Sequence, residues 1–265
     1  MDERTVITIG REFGSGGHEI GMKLAERLGI KCYDKEVRVM CNVYIYGDSL
    51  LKATVPDKEL KYHFHLPEIM ARYPSDRVQI TNRAKMGATV SKGLSLVEHD
   101  AARGLTADYA LVCYGGNDSD YDWAAIAADP EGEHQPHTKR ETFRRTLGNI
   151  LSLLRRQGVQ PVLMSLPPID PRRYLSFICR NGLDRSAIMR WLGDEDMIYR
   201  HQELYSDTVT ELAYESGVPL IHVRQAFLAD HHMNSLLSAD GIHLTMDGYG
   251  KLFDTLADWL RPKLS

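Results

Sequence analysis

Apolar positions along the chain change period several times after residue 37, and each change marks a switch between strand and helix. Val37–Tyr46 is rich in Val, Ile and Tyr, ends at Gly47, and reads as a buried strand. A mostly helical stretch is predicted within Asp57–Tyr73, followed by a short strand over Val78–Asn82. Val90, Leu94, Val97 and Ala101 recur at helical spacing, and Tyr109–Tyr114 is a continuous apolar strand closed by Gly115-Gly116. Phe143, Leu147, Ile150, Leu151 and Leu154 form the stripe of an amphipathic helix that Gly158 stops. Val159–Leu166 is the next strand. A helix over about Asp196–Ser216, ended by Gly217, precedes the strand Val218–Val223, and Tyr249, Leu252, Phe253, Leu256 and Leu260 mark a last helix. Five strands, each followed by helix, require crossover connections, hence a parallel sheet covered on both faces. In such sheets chemistry gathers in loops at the carboxyl ends of the strands.

Composition narrows the classes without naming one. With 32 Lys and Arg against 36 Asp and Glu, the net charge of −4 gives no electrostatic reason to expect nucleic acid or an anionic membrane as partner. No apolar run approaches the roughly 18–20 residues that cross a bilayer, and the polar start Met1–Arg4 lacks the form of a signal peptide, so a cytoplasmic protein is expected. Cys32, Cys41, Cys113 and Cys179 are scattered, without C-x-x-C, and read as reduced thiols packed as small hydrophobes. His63, His65, His134, His137, His231 and His232 occur in pairs, but no carboxylate or thiol completes a ligand set at familiar spacing, so no metal is expected.

Four blocks sit at the predicted strand ends. The first strand runs into Gly47-Asp48-Ser49-Leu50, the second is followed by Gly87-Ala88-Thr89, the third ends in Gly115-Gly116-Asn117-Asp118, and Asp240-Gly241-Ile242-His243 stands just before the last helix. Each block is unremarkable singly. In this order they resemble the four blocks of the SGNH (GDSL-type) hydrolases, over about residues 37–265. The resemblance implies a serine esterase with Ser49 as nucleophile, His243 as base and Asp240 as its acid partner. It also implies an oxyanion hole of the Ser49 and Gly87 backbone with the Asn117 side chain, and no cofactor. The chemistry asks for these residue types: a serine hydroxyl is a poor nucleophile until an imidazole accepts its proton, and that imidazole needs an acid to fix its tautomer. The implied substrate is a small-molecule or carbohydrate-linked acyl ester. After Ser49, Leu50-Leu51-Lys52-Ala53 departs from the Thr-x-Gly often seen in relatives, and Asn42 is a polar intrusion in the first strand that leaves its register open. Two long connections, Ser119–Thr138 with Tyr121 and Trp123 and Ile169–Asp194 with Trp191, are expected to shape the pocket.

Residues 1–36 carry a different pattern. Val6–Ile9 reads as a strand running into Gly10-Arg11-Glu12-Phe13-Gly14-Ser15-Gly16-Gly17-His18, and a helix with Ile20, Leu24 and Leu28 on one face follows, ended by Gly29. A strand, a glycine turn and a helix N-terminus make a phosphate cradle, with Gly14, Ser15, Gly16 and Gly17 as its candidate residues. The segment resembles the opening of cytidylate-kinase-like proteins and supplies the alternative reading, a nucleotide-binding or phosphotransferase protein. Against it, Gly17 occupies the usual lysine position, and by Val37 the hydrolase strand has begun, leaving no room for a kinase body. The expected architecture is therefore α/β: a flavodoxin-like three-layer αβα sandwich over 37–265 with a five-stranded parallel sheet, plus a truncated N-terminal βα appendage. A homo-oligomer would be one way to cover the apolar stripe of that appendage.

Overall fold

The computed structural model describes residues 17–30, 40–73 and 76–264. Contacts divide the chain into two units, Met1–Met40 and Cys41–Ser265. In the first, helix α1 (Gly17–Leu28) carries the Ile20, Leu24 and Leu28 stripe, pairs Glu19 with Lys23 one turn apart, and ends where Gly29 takes φ +64°. The predicted strand Val6–Ile9 and the cradle residues Gly14, Ser15 and Gly16 lie outside the described residues, and Gly17 opens α1.

The second unit begins with β1 (Cys41–Gly47), a 3-10 turn at Leu50–Lys52, the short strands β2 (Thr54–Pro56) and β3 (Tyr62–Phe64), and helix α2 (Leu66–Met70). Then come β4 (Val78–Asn82), α3 (Val90–Ala102), β5 (Tyr109–Cys113), α4 (Trp123–Ala128) and α5 (Arg140–Arg156). Next are β6 (Gln160–Met164), α6 (Pro171–Cys179), α7 (Arg185–Leu192) and α8 (Asp196–Ser216). The chain closes with β7 (Leu220–Ile221), α9 (Val223–Leu228), α10 (Met233–Leu236) and α11 (Met246–Leu260).

β4, β1, β5, β6 and β7 lie side by side in that order, every pair parallel. Counted along the chain, this is the order 2-1-3-4-5 of a flavodoxin-like sheet. The central strands β5 and β6 are apolar and buried on both faces, whereas the edge strand β4 has no buried residue. Tyr46 points to one side, where its hydroxyl reaches Asp100 of α3 at 2.9 Å. Val43, Ile45, Leu111 and Val162 point to the other and share a cavity of about 370 Å³ with Phe253 and Leu256 of α11. Helix α5 buries the predicted stripe of Phe143, Leu147, Ile150, Leu151 and Leu154 in full and turns its arginines outward. Helix starts in the long connections are fixed by carboxylates: Asp122 caps α4, Asp170 caps α6 together with Pro171, and Asp184 caps α7. Each such cap contributes about 1 kcal/mol.

The structure revises the expected elements in several places. Among the described residues β1 starts at Cys41, its amide bonded to the Arg77 carbonyl just before β4, and the predicted start at Val37 lies outside the described residues. Asn42 is no bulge: it stays in register with Gln79, and its amide donates to the Asp108 carboxylate at 2.7 Å. The stretch Asp57–Tyr73 is helical only over Leu66–Met70, because β2 and β3 pair as an antiparallel hairpin. The Asp57 carboxylate ties the hairpin turn by accepting the amides of Glu59 and Lys61, while Leu60 adopts φ +61°. Finally, the strand Val218–Val223 shrinks to two residues: it is a sheet edge bonded on one side only, and Val223 already opens α9.

Candidate active site

The switch in strand order falls at β1, whose neighbours β4 and β5 are reached by connections running in opposite directions, leaving a crevice beyond their carboxyl ends. Gly47-Asp48-Ser49 leaves β1 into that crevice, and Gly115-Gly116-Asn117 leaves β5 beside it. Ser49 stands at the start of the 3-10 turn in the right-handed helical region, so no full helix follows the first strand. The third arm arrives from the far end of the sequence, on the loop that precedes α11.

Ser49 Oγ lies 2.9 Å from His243 Nε2, and His243 Nδ1 lies 2.7 Å from Asp240 Oδ2. An ionised carboxylate only accepts, so Nδ1 carries the proton to Asp240 and Nε2 is left to accept from the serine hydroxyl. The loop geometry is set by Asp240 itself. Its Oδ1 accepts the amides of Ile242 and His243, at 3.1 and 3.0 Å, and the Ser238 hydroxyl at 2.6 Å. Gly241 between them takes φ +78°, where a side chain would be driven into the Asp170 carbonyl. Asp240 is fully buried, and burial opposes its ionisation. The bond and charge of His243, with the Ser238 hydroxyl, outweigh that cost and hold the carboxyl down at about 2.

Two further carboxylates lie under the crevice. Asp48 accepts the Leu50 amide at 3.0 Å and the Asn117 carboxamide at 3.1 Å; burial lifts its carboxyl to about 6 against those bonds. Asp118 accepts the Val90 amide at the start of α3, and burial likewise lifts it to about 6. Asn117 also donates to the Ala88 carbonyl at 3.2 Å, which ties it to the Gly87–Ala88 turn. Gly87 itself is exposed, at φ +68°, and does not line the cavity over Ser49. Among the described residues the backbone N–H groups of Ser49 and Gly87 have no protein acceptor.

That cavity, of about 290 Å³, has Ser49, His243 and Asn117 at one end. Its walls come from the two long connections: Tyr121 and Trp123 from one, Ile169, Tyr174 and Trp191 from the other, with Ile198 and His201 of α8 behind. The rings of Tyr121, Trp123 and Trp191 meet edge to face, the closest pair 4.9 Å between centroids. They belong to a second apolar cluster with Ile126, Leu175 and Ile188, separate from the core around the sheet. Asp120 is oriented by Tyr174 and Trp123, which donate to it at 2.6 and 2.8 Å. Among the described residues no Lys or Arg lines the cavity. His201 also resists protonation, held down by burial and by the charge of Arg140.

The structure thus brings Ser49, Asp240 and His243 into one hydrogen-bonded series, places Asn117 beside it, and leaves Gly87 at the rim. Sequence reasoning missed Tyr62, Ser238 and Asp120. Asp48 was legible as a motif neighbour of Ser49, whereas Tyr62 sits on a hairpin whose strands are too short to announce themselves by alternation.

A parallel αβα sandwich with a serine, an imidazole and a carboxylate in one hydrogen-bonded series at its strand ends is an arrangement suited to hydrolysis. The chain matches the GDSL-like Lipase/Acylhydrolase family over residues 45–251, and it belongs to that family. It is accordingly a carboxylic ester hydrolase. Residues 6–43 match the Cytidylate kinase-like family. No curated protein matches. Among solved structures, it is similar to a lipase/acylhydrolase from Enterococcus faecalis, at TM-score 0.58 and 18% identity over 85% of this chain and 98% of that one. A GDSL-like lipase from Bacteroides thetaiotaomicron gives TM-score 0.55 at 13% identity over 91% and 97%. A catalytic mutant of an acetylxylan esterase from Geobacillus stearothermophilus gives 0.56 at 16% over 84% and 95%. At these identities the likeness is one of fold. Among the described residues no helix is long and apolar enough to cross a membrane.

Proposed function

We propose that the protein cleaves a small or carbohydrate-linked acyl ester by acyl transfer to Ser49. The observation that carries this reading is the unbroken series Ser49–His243–Asp240 opening into a cavity of about 290 Å³. His243 Nε2 takes the hydroxyl proton as Oγ attacks the ester carbonyl, and then returns it to the departing alcohol. Water, activated by the same nitrogen, releases the acid and regenerates Ser49. Asp240 stays ionised throughout and stabilises the imidazolium. The Ser49 amide and the Asn117 carboxamide receive the oxyanion, while Gly87, which does not line the cavity, takes no part. Because Asn117 donates to Asp48 and Ala88 at rest, it exchanges one of these bonds as charge develops on the carbonyl oxygen.

The cavity supports the substrate class. Ser49 is 8% and His243 4% exposed, so the reacting ester must enter a confined space. Among the described residues the walls carry no Lys or Arg to meet an anionic ester, while Tyr121 and Trp191 offer apolar rings of the kind that pack on sugar rings and short acyl chains. The likeness to an acetylxylan esterase points the same way. A panel of chromogenic esters of increasing chain length, run beside acetylated sugars, tests the reading, with Ser49→Ala as control. Turnover abolished by Ser49→Ala, and fluorophosphonate labelling that maps to Ser49, are expected. Labelling at another residue would overturn the assignment.

A further inference from the structure

We propose that Tyr62, on the β2–β3 hairpin, is a positioning residue for the Asp240–His243 pair, its hydroxyl holding the carboxylate and its ring holding the imidazole. The inference rests on the reading of Ser49, His243 and Asp240 as the reacting series.

The Tyr62 hydroxyl donates to Asp240 Oδ2 at 3.3 Å, the same oxygen that takes the proton of His243 Nδ1 at 2.7 Å. The other oxygen already has three donors, so Oδ1 is fixed by its own loop and Oδ2 has the two partners that matter to the imidazole. Meanwhile the Tyr62 ring packs on the His243 ring, with centroids 4.9 Å apart and planes at 55°. One side chain therefore meets both members of the pair and helps keep water from the bond between them. A carboxylate with a second donor spreads its charge, which tempers its pull on the imidazole proton and fixes the plane in which that proton lies.

The hairpin does not need this hydroxyl to fold. It is held by its own ladder, by the Asp57 turn, by the Tyr249 hydroxyl on the Thr54 carbonyl at 2.8 Å, and by the His65 amide on the Ala53 carbonyl. Tyr62 also does not line the cavity, so it has no direct claim on substrate. Burial beside the Asp240 charge pushes the phenol titration far up, with Arg180 opposing, which keeps it a donor over the working range. The charged groups facing these side chains are Asp48 from the end of β1, which faces His243, and Asp240 from the loop before α11 with Arg180 after α6, which face Tyr62.

Tyr62→Phe keeps the ring and removes the donor. We expect kcat to fall about tenfold with KM unchanged, the size of one bond to a charged group. The acid limb of the kcat/KM profile should move up by roughly half a pH unit, because the less-shared Asp240 charge favours imidazolium. Tyr62→Leu, which also removes the ring, should lower kcat further. In an Asp240→Asn background, Tyr62→Phe should cost nothing more, since its partner charge is gone. Wild-type kcat and an unmoved acid limb in Tyr62→Phe would overturn the proposal, as would a rise in KM at constant kcat or full additivity with Asp240→Asn. Undiminished turnover in Ser49→Ala would instead defeat the underlying reading, whatever Tyr62 does. A purely structural role would lower the thermal midpoint and leave the acid limb in place.

Discussion

The Asn117 carboxamide donates to the Asp48 carboxylate at 3.1 Å, so the loops leaving β1 and β5 are joined directly beneath the nucleophile. That carboxylate is buried, and its ionisation is costly.

The cost has a sign that can be measured. Folding raises Asp48 from its ordinary 3.8 to about 6, so the folded state holds a proton that the unfolded state has lost between those values. Its contribution to stability is complete below pH 3.8 and is lost as pH rises through 6. Asp118 acts in the same direction. Asp240, held down at about 2, acts oppositely: its contribution is present above 3.8 and lost as pH falls through 2. Urea unfolding of Asp48→Asn should therefore show a smaller decline in stability from pH 4 to pH 7 than the parent protein. An identical decline in both would refute the assignment.

Replacing Asp240 by Asn removes the acceptor that selects the His243 tautomer while leaving the cavity walls in place. Turnover should drop by about 10⁴, with KM little altered. Steady-state kinetics on a chromogenic ester decides it, and a loss confined to KM would contradict the role.

Gly241 holds Asp240 and His243 apart on a tight turn, where an added Cβ would sit 2.5 Å from the Asp170 carbonyl and 2.7 Å from the Tyr174 amide. Gly241→Ala should cost about 2–4 kcal/mol in unfolding free energy, from left-handed strain and backbone overlap together. Turnover of the folded fraction should fall more than tenfold. A thermal midpoint and turnover equal to the parent's would show that the loop relaxes freely.

Ser49, His243, Asp240, Asn117 and Gly87 all belong to the unit Cys41–Ser265. A chain beginning at Cys41 should retain kcat and KM within about twofold of the full protein, and micromolar ATP should change neither in the full chain. Loss of turnover in the folded, shortened protein would assign residues 1–40 a part in the site; ATP binding by calorimetry would revive the nucleotide reading.

The sequence by itself determined the sheet and the placing of the Ser49, Asn117 and Asp240–His243 blocks around its strand ends. Strands such as Tyr109–Cys113 and helices such as Asp196–Ser216 were legible, because burial on one face or both imposes a period that side chains must obey. The Ser49, Asn117 and Asp240–His243 blocks were legible because each follows a strand or precedes a helix, and because their order matches a family. Tertiary structure alone decided what surrounds them. The β2–β3 hairpin is three residues on each side, too short for alternation, and owes its form to the Asp57 turn and the Tyr249 hydroxyl 195 residues away. Trp123, Tyr174 and Trp191 lie on three separate short helices, so no local pattern predicts that they share a wall. Nor could residue types alone place Tyr62 against both Asp240 and His243. That contact joins positions 178 residues apart, and only the packing of a surface hairpin over the end of the sheet creates it.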